Sequence, residues 1–300
     1  MGFFKNLFSK QACVLCGKEV GALSRVKLSD GNYMCSDCRK NTSAFINIQR
    51  LNLDEVKKHI EYMEKQNEFY EKVFSAQDDN DLVRCVRVGY AGIVFCDKLG
   101  MFEIINAETK KKNYKELFRY DQIKDFEIYG KENTGTAENQ KKYAEVGVKI
   151  IMDSAADVGN FAANDEERKR LHPYATEFIL PVERNTDHLN GGMIKNHMNK
   201  MFGRPDETLF GSIKEKFTGT AHERAGYQAA NDAASALTSF VKGKITGNED
   251  DIEEAKEKAK KAATSGMAYA SEFRTQYCES ADTAEKEFMG KTFRDFLYGE

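Results

Sequence analysis

CVLCGKEVGALSRVKLSDGNYMCSDC, residues 13–38, sets two cysteine pairs, Cys13-x2-Cys16 and Cys35-x2-Cys38, with eighteen residues between them. A two-residue gap lets both sulfurs of a pair turn toward one ion, and two such pairs complete a tetrahedron of thiolates. Gly17 behind the first pair suits the tight knuckle this needs, because glycine accepts backbone angles that other residues avoid. Between the pairs, Arg25–Leu28 and Asn32–Met34 flank Asp30-Gly31, a strong hairpin signal, and Ser36-Asp37 opens a short helix carrying Cys38. Knuckle, hairpin and a pair at a helix start predict a treble-clef-like module around a structural Zn2+ held by Cys13, Cys16, Cys35 and Cys38. Four thiolates also suit iron, so the spacing leaves the ion open between the two.

These residues, with the Cys-Val-Leu-Cys-Gly-Lys-Glu-Val-Gly and Arg-Val-Lys-Leu-Ser-Asp-Gly-Asn-Tyr-Met-Cys-Ser-Asp-Cys strings, resemble an uncharacterised bacterial family common in Firmicutes. In that family a helix and a pleckstrin-homology-like β domain follow the zinc module. The resemblance runs through Leu53–Phe74, Phe95-Cys96-Asp97 and Ile123–Tyr129, over about residues 1–150. It implies an architecture and no activity.

Downstream, Val56, Ile60, Met63, Tyr70 and Val73 recur at near-helical spacing, with Asp54 and Glu55 at the positive end of a helix over Leu53–Phe74. The apolar period then falls to two. Strands are expected at Val83–Val88, Gly92–Cys96, Met101–Ile105, Glu116–Arg119, Ile123–Tyr129, Glu145–Met152 and Ala175–Pro181, separated by polar insertions at Tyr129–Lys142 and Asp153–Leu171. A helix over Thr186–Phe202 would cap them. Beyond the breaker Gly203-Arg204-Pro205-Asp206, helices are expected at Ala221–Lys242, Glu249–Ser265, Met267–Cys278 and Ala281–Leu297.

The expected fold is therefore α+β. It comprises a zinc module with a short amphipathic lead at 1–50, a bridging helix at 51–81, an antiparallel β sandwich or barrel with its cap at 82–204 and a helical tail at 205–300. The family resemblance makes the β domain pleckstrin-homology-like.

The 300 residues carry a formal charge of −3, which gives no global pull toward nucleic acid. Residues 1–50 nevertheless hold eight basic side chains against three acidic, and residues 249–300 hold eight against thirteen. Phe3, Phe4, Leu7 and Phe8 share one face of a helical turn beside Lys5 and Lys10, which fits docking on the protein's own core or contact with an anionic membrane. No apolar run reaches the ~18 residues of a membrane span, and no signal peptide opens the chain, so a cytoplasmic protein with reduced thiols is expected.

Catalytic signatures are missing: no phosphate loop, no GxGxxG and no HExxH. His188 and His197 stand nine apart; Cys85 and Cys96, on adjacent expected strands, read as buried, unreactive thiols, and Cys278, beside Tyr277 on an expected helix, reads as a packing residue. Asp153, Asp157, Asp165, Glu166 and Glu167 lack a calcium-loop pattern. These absences point to a non-enzymatic adaptor that binds a protein partner, with Ala229, Ala230, Ala233, Ala234 and Ala236 offering a close-packing seam for a partner or a second copy. A phospholipid-surface sensor is the alternative. Nucleic-acid binding through the basic module is a second, poorly served by aromatic residues, with Tyr33 alone nearby.

Overall fold

Helix α2, Leu53–Phe69, is the spine on which the other parts converge, and its start is fixed from both sides. Asn52 Oδ1 accepts the Glu55 N–H at 3.0 Å while Glu55 Oε2 accepts the Asn52 N–H at 2.7 Å, a reciprocal capping box. The structure, a computed structural model, describes residues 10–86, 91–135, 140–152, 177–202, 252–253, 256–257, 260 and 276–298. The Phe-rich lead at 1–9, the acidic insertion at 153–171 and the helix expected at 221–242 lie outside them.

Two small hairpins precede α2: β1 (Gln11–Ala12) with β2 (Glu19–Val20), and β3 (Arg25–Lys27) with β4 (Tyr33–Cys35), followed by the single turn α1 (Ser36–Arg39). Leu28, Met34, Ile48 and Leu51 form a core against Val56 on the first turn of α2. Farther along, Tyr62, Met63 and Phe69 enter a second core with Ala281, Ala284 and Phe293 from the C-terminal region. The apolar stripe read from sequence is present, but α2 also buries Glu55, His59 and Gln66. Each of these polar side chains satisfies a backbone N–H: Asn52 for Glu55, Ser43 for His59 and Leu117 for Gln66. The helix ends in a π-helical turn, Tyr70–Phe74.

The β region follows as two antiparallel meanders. Strands β5 (Leu82–Val86), β6 (Gly92–Cys96), β7 (Met101–Ile105) and β8 (Leu117–Arg119) make one sheet, and β9 (Ile123–Glu132), β10 (Tyr143–Met152) and β11 (Glu177–Thr186) the other. Phe95, Phe102 and Phe118 from the first sheet meet Val148, Ile150, Phe178 and Leu180 from the second, and Ile194, Met198 and Met201 of α3 (Gly192–Met201) pack on the same core. The alternate residues Val94, Cys96 and Met101 point instead into the core of α2 and the C-terminal helices. Burial on both faces explains why β6 reads as an unbroken apolar run.

Three expectations are corrected. Tyr129–Lys142 is not wholly an insertion: β9 continues to Glu132 and pairs with Tyr143, its outer residues polar because they face water. Thr186 ends β11 rather than opening a helix, and positive φ angles at Asn185 (51°) and Gly192 (52°) reverse the chain before α3. Residues 276–289 form one continuous helix, α4, through the expected break after Cys278. The interruption comes at Gly290, whose φ of 79° ends α4 before α5 (Phe293–Tyr298). Among the described residues, no helix is long and apolar enough to cross a membrane.

Candidate metal centre

The first cysteine pair sits on a knuckle closed by two backbone bonds, Gly17 N–H to Cys13 O at 2.8 Å and Cys13 N–H to Lys18 O at 2.9 Å, with Gly17 at φ 73°. Val14 N–H donates to Tyr33 O at 2.8 Å, fastening this knuckle to the second hairpin. Cys35 ends β4 and caps α1, its sulfur accepting the Cys38 N–H at 3.3 Å, and the one turn of helix returns Cys38 to the same point. Cys35 N–H in turn donates to Cys13 Sγ at 3.3 Å.

The four sulfurs lie within 4.8 Å of one another, with Cys13–Cys38 and Cys16–Cys35 each at 3.8 Å. Sulfurs at the corners of a tetrahedron about 2.3 Å from a central ion stand about 3.8 Å apart, so the donors fit a four-coordinate metal. No disulfide joins them. Burial opposes ionisation of Cys13, but the N–H groups of Cys35, Cys16 and Leu15 overcome it and bring that thiol down to about 6. Burial and the other three sulfurs push Cys38 up. A cation bound by all four sulfurs would replace their protons.

Around the centre, Asp37 bridges Lys18 at 2.9 Å and Lys40 at 3.4 Å, which holds its carboxyl below the usual range. Arg25 lies 4.7 Å over the Tyr33 ring. Leu23, on the turn between β2 and β3, is 95% exposed.

The module is pegged to the first sheet by residues that no local pattern singled out. Ser43 Oγ donates to Glu116 Oε2 at 2.5 Å and Ser43 N–H to His59 Nε2 at 2.9 Å, while Lys112 Nζ donates to Arg39 O at 3.0 Å and Thr42 Oγ1 at 3.4 Å. Burial, with the nearby Lys112 ammonium, takes His59 down to about 3; burial and Arg39 take Lys112 down to about 8. The one sequence hint was a histidine inside an otherwise helical pattern.

Among the described residues, the remaining candidates do not assemble into a second centre. His188 is exposed, whereas His197 is buried against the Phe95 ring at 4.1 Å and 3.0 Å from Asp97 Oδ1, which also accepts the Tyr120 hydroxyl at 2.8 Å. Cys85 and Cys96 lie on adjacent strands but do not face one another: Cys85 pairs with Ile93 and packs between the sheets, and Cys96 pairs with Leu82 on the opposite face. Burial pushes the Cys85 thiol up to about 11 and Cys96 up as well. Cys278 is half-buried, and its carbonyl accepts from Arg119 at 3.3 Å. Among the described residues, the four N-terminal cysteines are the one cluster able to offer three or more metal ligands.

No curated protein and no solved structure matches the chain. Residues 11–59, the metal module and the first turns of α2, match the model of a family described as a domain of unknown function, DUF4428.

Proposed function

We propose that this chain is a non-enzymatic adaptor, stabilised by zinc, that binds a protein partner through its β domain and helical tail. The observation that carries the reading is the closure of the metal centre. Cys13, Cys16, Cys35 and Cys38 supply a full tetrahedral set, leaving no position for a water or substrate, so the ion's work is structural. The module then has the treble-clef order of knuckle, hairpin and helix. A four-stranded meander, a three-stranded meander and a closing helix support a pleckstrin-homology-like β domain. Zinc is preferred to iron because a structural site needs no redox change.

Metal analysis of the purified chain should return one zinc per molecule and no thiolate-to-iron colour. Affinity purification from the native host with mass spectrometry should return a specific protein. If none co-purifies and the chain stays monomeric at micromolar concentration, the adaptor reading fails.

Leu23 favours a second reading, contact with an anionic membrane, because this exposed apolar side chain stands on a module that also carries Lys18, Arg25 and Lys27. Flotation with anionic vesicles at low salt separates the two. Binding that Leu23→Ser abolishes supports the membrane; absence of binding removes it.

A further inference from the structure

Helix α1 is a single turn, too short to persist by its own hydrogen bonds, and both Cys35 at its cap and Cys38 within it are ligand candidates. Its exit is where another part of the chain takes hold. Lys112 Nζ donates to Arg39 O, Asn113 N–H donates to Lys40 O at 2.9 Å, and Asn113 Nδ2 donates to Asn41 Oδ1 at 2.6 Å. All three donors lie on the connector between β7 and β8. The next residues, through the first of β8, are held differently: Tyr114 by Glu64 at 3.1 Å, Lys115 N–H by Asn67 at 2.9 Å and Leu117 N–H by Gln66 at 3.2 Å, all on α2.

We propose that this connector reads the occupancy of the metal centre. With the ion in place, α1 and its exit are fixed, and Arg39 O, Lys40 O and Asn41 hold Lys112 and Asn113 against the module; without it, α1 unravels and those two residues are released while Tyr114, Lys115 and Leu117 stay on α2. The inference rests on the four thiols holding a metal. It goes beyond the adaptor reading by making one surface segment of the β domain conditional on the ion. Coupling between two sites is reciprocal, so whatever the metal does for the connector, the connector does for metal affinity.

The test is amide exchange resolved by residue on the full zinc-loaded chain, before and after a high-affinity zinc chelator. The Asn113 amide, bonded to Lys40 O, should exchange about tenfold faster or more after chelation, while Lys115 and Leu117 keep their protection. If Val14 and Leu28 become unprotected and Asn113 does not, the proposal is overturned. Where chelation unfolds the whole chain, the reciprocal arm decides. Lys112→Met with Asn113→Ala removes the three side-chain bonds to Arg39 O, Thr42 Oγ1 and Asn41 Oδ1 and should weaken zinc binding about tenfold in competition with a chromophoric chelator; an unchanged affinity overturns it. A wild-type chain that takes up no zinc, with all four thiols open to titration, removes the metal reading and this inference together.

Discussion

Asp30 Oδ2 accepts the backbone N–H of Leu53 at 2.9 Å, so the residue that turns the β3–β4 hairpin also holds the first residue of α2. The same carboxylate receives Asn32 through both its backbone and its side chain, at 3.1 and 2.9 Å. Asp30→Ala should therefore lower stability by about 1–2 kcal/mol, the range of a lost helix cap. These bonds to the ionised form hold the Asp30 carboxyl below its ordinary value. Its contribution is present above the unfolded value of 3.8 and is lost as pH falls below it. Urea unfolding of wild type and variant at pH 7 and pH 3 checks both points: equal stabilities at pH 7 would remove the link.

Removing the metal should unfold the module around residues 11–40, because its small apolar core relies on an ion worth about 10–16 kcal/mol in comparable sites. Cys16→Ser should abolish stoichiometric zinc binding even though Cys16 is exposed, since it completes the tetrahedron. Zinc content and near-ultraviolet dichroism of the variant measure this, and a variant that retains full zinc contradicts the four-thiolate assignment.

Gly100 has a φ of 61°, and a Cβ there would strike the carbonyl of Tyr277 in α4. Gly100→Ala should combine backbone strain with displacement of α4, costing about 2–4 kcal/mol. Limited proteolysis should cut the C-terminal region of this variant sooner than that of wild type. Identical digestion patterns would show that α4 does not rest on this turn.

Arg119 faces three carboxylates, Asp121 at 3.1 Å, Asp282 at 2.7 Å and Glu285 at 3.2 Å. Burial pushes Glu285 up to about 7 against the pull of Arg119 and of the Phe293 N–H. A raised carboxyl favours the folded state while protonated, so its contribution is full below the unfolded value of 4.5 and fades as pH rises through about 7. The span is worth about 3 kcal/mol as an order of magnitude. Thermal melts should fall between pH 5 and pH 8 in wild type and stay flatter in Glu285→Gln. Parallel profiles would remove Glu285 as the source.

The parts legible in sequence were those with a local physical cause. Metal ligation demands fixed spacing, so Cys13 to Cys38 announced the centre without help from the rest of the chain. Burial on both faces gave β6 a continuous apolar run, and the bounds of β6 and of β7, where the buried Glu103 interrupts the run, match the pattern at Gly92–Cys96 and Met101–Ile105. Where one end of a strand faces water the signal weakened, which is why β9 and β11 extend past their apolar segments. Of the pegs between module and sheet only His59, a histidine inside a helical pattern, left a trace, since Ser43, His59 and Glu116 meet only through the fold. Gly290 was passed over because a helical pattern runs across it, and only its positive φ marks the break.

The edge-to-face contacts of Phe288 and Phe293 with Phe69, at 5.3 and 5.5 Å, bear on how the chain is made. On the ribosome the metal module can close once its own residues have emerged, because all its ligands are local. The far face of α2 must wait for more than two hundred further residues before its aromatic covering leaves the exit tunnel. During that interval the side chains of Tyr62, Met63 and Phe69 lack their C-terminal covering, and a longer interval leaves that apolar surface open to non-native contacts for longer.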